Sequence, residues 1–125
     1  MGYKTTKKDF EAFKLECWKW VSYFGLLDWE FNFYHEFRNG DETVRGSCYA
    51  SYTGRIATLY FSPKWDYKPE DSEIKKVAFH EVCEVLTAPL CVMAESRYVT
   101  PDEIEAANHY LIRTLENTIF EGREP

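Results

Sequence analysis

Three side chains that could do chemistry together, His80, Glu81 and Glu84, lie in the segment VAFHEVCEVLTAPL, residues 77–90. If this segment is a helix, a rotation of about 100° per residue places His80 and Glu84 one turn apart on the same flank. An imidazole and a carboxylate at this spacing can hold one metal ion from a single helix face. The segment therefore predicts a helix that can bind a metal.

Glu81 falls on another part of the same helix, in the middle of its apolar face. That face is formed by Ile74, Val77, Ala78, Val82 and Val85. Burying a charged and unpaired carboxylate is costly, so desolvation is expected to raise the pKa of Glu81 toward the range of a general base. Beside a bound metal, such a carboxylate would take a proton from a water whose pKa the metal lowers.

A purely structural interpretation of the same residues stays open. His80 and Glu84 can form an ordinary i,i+4 pair on the helix, while Glu81 accepts a hydrogen bond from a strand. The chain contains 21 acidic residues, so a short pattern such as H-E-x-x-E also arises by chance. The pattern alone does not decide between the two interpretations.

A metal held by His80 and Glu84 needs at least one further protein ligand. The chain has three histidines, and His35 lies on a predicted strand among aromatic residues, where a core position is favoured. His109 is the better candidate, because it lies on the last predicted helix and two packed helices can present ligands to one ion. Cys83 is expected to serve packing.

Length and composition limit the classes of function. The 125 residues, 45% of them hydrophobic, suffice for one domain over residues 1–125. The net charge of -6 argues against nucleic acid or an anionic membrane as the main partner, since both select basic surfaces. We find no stretch near the ~18 apolar residues that span a bilayer. Four cysteines without C-x-x-C spacing, and no signal peptide, predict reduced thiols and a cytoplasmic protein.

Helical periodicity predicts the elements on either side of the sheet. A first helix is expected between Thr6, as its cap, and Gly25, as its stop. The metal-motif helix is expected to end near Pro89, because proline disfavours continuation of a helix. The segment 100–120 predicts the last helix, with its first residue as the cap and Glu103 closing a capping box.

Alternation of apolar and polar residues predicts three strands, in the segments 28–38, 43–52 and 55–62. The sequence NGDE, residues 39–42, is typical of a hairpin turn. The small residues Gly46 and Ala50 suggest a close approach by another element. The order predicts an α+β domain with an N-terminal helix, a three-stranded antiparallel sheet, the metal-motif helix and a C-terminal helix.

Four segments carry a family resemblance: WEFNFYHE, GSCYASYTGRIATLYFS, AFHEVCEVLTAPL and NHYLIRTLEN. Over most of its length the chain resembles small phage and bacterial metallopeptidases of the gluzincin type, also called minigluzincins or SprT-like metallopeptidases. The resemblance implies a zinc enzyme that hydrolyses peptide or protein substrates in the cytoplasm of a bacterium or a phage-infected cell. It also implies that an extended substrate pairs with the strand in residues 55–62.

Two positions depart from the family pattern, H-E-x-x-H followed by a glutamate ligand on the last helix. The second histidine of the pattern is Glu84 here, and the ligand glutamate falls at His109 or at Asn108. In the first case the ligand set is His80, Glu84 and His109, which suits zinc, with iron or manganese as alternatives. In the second case two ligands are lost and the chain is a metal-free relative.

The resulting prediction is a zinc metallopeptidase with His80, Glu84 and His109 as ligands and Glu81 as the general base that activates a metal-bound water. The alternative, from another class, is a catalytically inactive protein of the same fold that acts as a protein-binding or regulatory module. The sequence names no particular substrate and no oligomeric state.

Overall fold

A computed structural model describes residues 2–122 of the chain. The helices are α1 (Lys7–Phe24), α2 (Asp71–Glu95) and α3 (Pro101–Leu115), and the strands are β1 (Tyr3–Lys4), β2 (Glu30–Tyr34), β3 (Gly46–Ser51), β4 (Ile56–Phe61) and β5 (Lys64–Trp65). A 3-10 turn lies between β2 and β3, and a turn of π-helix follows α3. The predicted α+β class and the order of its three helices are confirmed.

α1 and α3 begin at the residues that the sequence predicts as caps. The side chains of Thr6 and Thr100 accept hydrogen bonds from the backbone N–H groups of Asp9 and Glu103. The carboxylates of Asp9 and Glu103 in turn accept from the backbone of the capping residue, which completes both capping boxes. Gly25 ends α1 in the left-handed conformation, at φ 71°, which glycine adopts without a steric penalty.

α2 is longer than predicted, because it continues through Pro89 to Glu95. Proline inside a helix removes one backbone hydrogen bond, so the expected end near Pro89 follows a sound local rule and is nevertheless wrong. The Pro89 side chain is buried, and it lines the space between α2 and α3 together with Met93 and Ala107. Tertiary packing at this position offsets the lost hydrogen bond.

By length and composition alone, α2 is long and apolar enough to cross a membrane, so the expectation that no segment approaches this requirement is wrong. A helix that packs inside a domain passes the same test, and α2 contacts α1, β3 and α3. The absence of a membrane partner stays a prediction.

The three-stranded sheet is mixed, so the prediction of an all-antiparallel sheet is wrong. The strand order is β2-β4-β3, with β4 parallel to β2 and antiparallel to β3. Residues 39–42 contribute to a turn but not to a hairpin, because the chain crosses to the other side of β4 before β3 begins. Three residues of β4, Ala57, Leu59 and Phe61, are fully buried, which accounts for its central place.

The central position of β4 corrects a second expectation. The segment 55–62, which the family resemblance assigns to substrate pairing, contains β4, whose two sides are both occupied by neighbouring strands. Among residues 2–122, β3 and β2 are the edges of this sheet. Of these two strands, β3 is the one that contacts α2 closely.

A second sheet of two short strands was not predicted. β1 pairs antiparallel with β5, so that Tyr3 lies opposite Trp65. The pairing is too short to produce a recognisable alternation in the sequence. It fixes Trp65 in the core, where its side chain is 2% exposed.

The hydrophobic core lies between the sheet and the helices α1 and α2. Its members include Phe13, Cys17, Val21, Leu59, Phe61, Ala78, Val82 and Val85. The Phe13 ring from α1 lies 4.9 Å from the Phe61 ring of β4, measured between centroids. The packing therefore fixes α2 against the sheet along the face that carries Glu81.

β3 approaches α2 so closely at Gly46 that a side chain there would clash. A Cβ atom on Gly46 would lie 2.6 Å from Val77 Cγ1 and 3.3 Å from Glu81 Oε2. The predicted close approach is therefore found at Gly46, and the approaching element is α2.

We expect Gly46→Ala to lower the free energy of unfolding by about 1–3 kcal/mol, because the added methyl group overpacks the α2–β3 contact. Urea unfolding measures the change. The double variant Gly46→Ala/Val77→Ala should recover part of the loss, since the nearest clashing atom is removed.

Gly54→Ala is the matched control, because the nearest atom that a Cβ there would meet, Ser51 Oγ, lies 3.5 Å away, which is an ordinary contact distance. An equal loss of stability in Gly46→Ala and Gly54→Ala, or no recovery in the double variant, would contradict this account of the packing.

Candidate metal site

α2 brings His80, Glu81 and Glu84 together as the sequence predicts. One possible ligand atom from each residue lies within 4.8 Å of the others. His80 Nε2 lies 3.7 Å from Glu84 Oε1, and their side chains are 69% and 52% exposed. Glu81, in contrast, is only 5% exposed. The helix thus carries an exposed His-Glu-x-x-Glu group that could bind a metal, with its middle carboxylate turned into the domain.

The Glu81 carboxylate accepts no hydrogen bond from any side chain or backbone group of residues 2–122. The pKa of Glu81 is raised to about 8, mainly by burial and also by the nearby charge of Glu84, while Arg38 opposes the rise. The structural interpretation of the motif requires a hydrogen bond from a strand to Glu81. Within the described part of the chain, the His80–Glu84 pair of that interpretation is present. The hydrogen bond to Glu81 that it also requires is not.

Arg38 is a neighbour of this site to which no sequence pattern points. It lies in the 3-10 turn after β2, and its Nη1 donates a hydrogen bond to the backbone carbonyl of Cys48 at 2.8 Å. Its guanidinium also lies 5.2 Å from the centroid of the Tyr49 ring. These contacts hold a cation where it favours the ionised form of Glu81.

A cleft of about 520 Å³ opens beside the group. One wall is α2, with Lys76, His80 and Glu81 among its residues, and the other is the segment 43–46 that enters β3. The buried carboxylate of Glu81 therefore lies at the wall of a space that a ligand can enter.

His109 is not part of the group that the structure brings together. Its Nε2 lies 3.9 Å from Glu105 Oε1, and its side chain is 63% exposed. Ala107 marks the buried side of α3, and a rotation of about 100° per residue places Asn108 about 100° and His109 about 200° from it. The third ligand, and the choice between His109 and Asn108, stay predictions.

The predicted core position of His35 on a strand is not found: His35 follows the last residue of β2 and is half-buried at the border of the core. Its ring stacks on Phe10 with 4.9 Å between centroids, and its Nε2 lies 2.7 Å from Thr5 Oγ1. Burial lowers the pKa of His35. Cys83 is half-buried outside the metal group, and all four cysteines are free.

No family model, curated protein or solved structure matches the chain. The gluzincin resemblance therefore stays a prediction, and any functional argument depends on the geometry around α2.

The raised pKa of Glu81 gives a testable dependence of stability on pH. Folded Glu81 keeps its proton up to about pH 8, whereas in the unfolded chain a glutamate loses it near pH 4.3. Because the folded state binds more protons between these values, this group lowers stability as pH rises from about 4 to about 8. Glu81→Gln should therefore be more stable than the wild type at pH 7, on the order of 3–4 kcal/mol, with little difference at pH 4.

Denaturant unfolding between pH 4 and pH 9, with a chelator present, measures this difference. Glu95→Gln, an exposed change on the same helix, is the control and should follow the wild type. Parallel pH profiles for the wild type and Glu81→Gln would show that Glu81 is not desolvated as described.

Proposed function

We propose that the protein is a zinc-dependent metallopeptidase, in which His80 and Glu84 hold the metal and Glu81 is the general base. One observation carries the proposal. Glu81 is a buried carboxylate with no hydrogen-bond partner among residues 2–122, and it lies at a cleft beside two exposed ligand side chains. A buried carboxylate without a partner lowers stability. Its presence beside a cleft is therefore better explained by a functional role than by a structural one.

The residues fit a metal in part. An imidazole and a carboxylate suit zinc, with iron or manganese as alternatives, and the exposure of His80 and Glu84 leaves both side chains free to adjust to an ion. A catalytic zinc site uses three protein ligands and one open position. The third ligand in this proposal is His109, which requires another orientation of α3 relative to α2.

Zinc held here would polarise a substrate carbonyl and acidify a bound water. The part of Glu81 is to accept a proton at its carboxylate and to pass it to the leaving amine. Its pKa of about 8 without metal lies near the working range of a general base at neutral pH. Arg38 favours the ionised form, so it assists Glu81 as a proton acceptor.

The edge of β3 supports the binding of an extended peptide. The carbonyl of Cys48 accepts a hydrogen bond from Arg38, so it faces away from β4. Backbone groups alternate in direction along a strand, and Gly46 is therefore expected to face the same way. Because Arg38 occupies the Cys48 carbonyl, a peptide would pair with β3 at Gly46, and at that residue it would lie in the cleft beside Glu81.

Metal analysis and peptide hydrolysis test the proposal together. Protein purified without a chelator should carry about one zinc per chain, which His80→Ala and Glu84→Ala should each abolish. Glu81→Gln should keep the metal and lower the rate of peptide hydrolysis by at least about 100-fold, since only the proton acceptor is lost. His109→Ala should abolish metal binding.

His35→Ala is the control for the loss of an imidazole elsewhere, and it should keep the metal. No bound metal at neutral pH, with folding unaffected by chelator, would contradict the proposal. Retention of zinc by His109→Ala, with loss in the other two variants, would leave the α2 ligands in place and reject His109.

A catalytically inactive binding or regulatory protein on the same fold is a second candidate. The orientation of His109 away from the buried side of α3 favours it, because the chain then offers two exposed ligands and not three. Such a protein would bind a peptide in the cleft without metal and without cleavage. Peptide binding by metal-free protein, together with no hydrolysis at any metal concentration, would identify this candidate.

A further inference from the structure

Arg45 is held in a fixed position on the wall of the cleft. It immediately precedes Gly46, and its guanidinium lies 4.9 Å from the centroid of the Trp65 ring and 5.2 Å from that of the Tyr67 ring. Trp65 is 2% exposed, so one of the two rings belongs to the rigid core. Stacking on aromatic faces fixes the plane of an arginine while leaving the N–H groups at its edge able to donate.

No carboxylate within residues 2–122 forms a close hydrogen-bonded pair with Arg45, although the charge of Glu73 interacts with it. The closest ion pair is with Asp66, at 4.0 Å, and the Asp66 side chain is 90% exposed. Glu73 also lines the cleft, but its carboxylate already accepts from the Tyr67 hydroxyl and from the backbone N–H of Glu70. An exposed pair at this distance contributes little, so a carboxylate in the cleft can replace Asp66 at small cost.

A second cation lies on the opposite wall. Lys76 of α2 lines the same cleft and forms no ion pair within residues 2–122. The two cations share the cleft with two acids, Glu73 and Glu81. The Glu73 carboxylate is engaged by Tyr67 and by the Glu70 N–H, and neither acid forms an ion pair with Lys76 within residues 2–122. Arginine in a fixed plane with lysine nearby is an arrangement that recognises carboxylates.

We propose that Arg45 and Lys76 form a carboxylate-recognition subsite, and that the cleft selects peptides with an acidic side chain or a free C-terminal carboxylate. The inference rests on the proposed function in so far as the cleft binds peptides, and it adds the chemical class of the peptide. An acidic side chain and a free C-terminus both present a carboxylate to Arg45. They differ in whether the peptide chain continues beyond that carboxylate.

Four fluorescently labelled octapeptides of one sequence distinguish these sources. One internal position is Glu or Gln, and the C-terminus is a free carboxylate or an amide. Fluorescence anisotropy with the full chain and a chelator measures binding without cleavage. Peptides that carry the selected carboxylate should bind about tenfold more tightly than the peptide with Gln and an amide. A difference in affinity between the Glu and Gln peptides identifies the side chain as the preferred carboxylate. A difference between the free and the amidated peptides identifies the C-terminus.

Arg45→Gln should reduce the affinity for the preferred peptide to that for the neutral peptide and leave the neutral peptide unaffected. Lys76→Gln, an exposed change on a helix surface, should weaken the binding of the preferred peptide about threefold. This variant tests the subsite even if Arg45→Gln fails to fold. Arg97→Gln is the control for net charge, because Arg97 lies in the exposed segment after α2, and it should have no effect.

Equal affinity for all four peptides, binding of none of them, or an equal effect of Arg97→Gln and Arg45→Gln would overturn the subsite. These outcomes are independent of the metal, since the chelator is present throughout. Failure of zinc binding would reject the peptidase while leaving a measured carboxylate preference intact, and the reverse result would reject only the subsite.

Discussion

The packing of α2 against β3 buries most of one carboxylate side chain at the wall of the cleft, and the rest of the site depends on that contact. Gly46 lets the two elements approach until Val77 and Glu81 fill the space beside its Cα. The same helix face carries Ala78, Val82 and Val85 into the core. The backbone of Glu81 is held at this interface by the rest of its helix face, so the burial of its side chain follows from how α2 packs.

This constraint separates two acids that lie three residues apart. Glu84 is on the exposed flank with His80, where it can bind a cation, whereas Glu81 is buried and has a pKa of about 8. Their charges repel each other, and Arg38 partly compensates for this repulsion. A cation between His80 and Glu84 would reverse the repulsion, so that metal binding and ionisation of Glu81 would favour each other.

Sequence patterns within one or two helical turns predict the motif on α2 and the helix caps. The positions of His80, Glu81 and Glu84 follow from helical rotation alone, and the caps of α1 and α3 follow from side chains within one turn. The mixed sheet depends on the passage of the chain from β2 to the far side of β4, and the passage of α2 through Pro89 depends on packing against α3. Arg38 reaches Glu81 only through the tertiary fold, so no spacing along the chain reveals it.

The central claim is that a metal binds between His80 and Glu84 beside the buried Glu81. The most direct test is an anomalous difference map from crystals grown with zinc, recorded above and below the zinc absorption edge. The account predicts a peak about 2.0–2.2 Å from an imidazole nitrogen of His80 and from a carboxylate oxygen of Glu84. A map with no peak at these side chains, or with zinc bound only elsewhere on the surface, would contradict it.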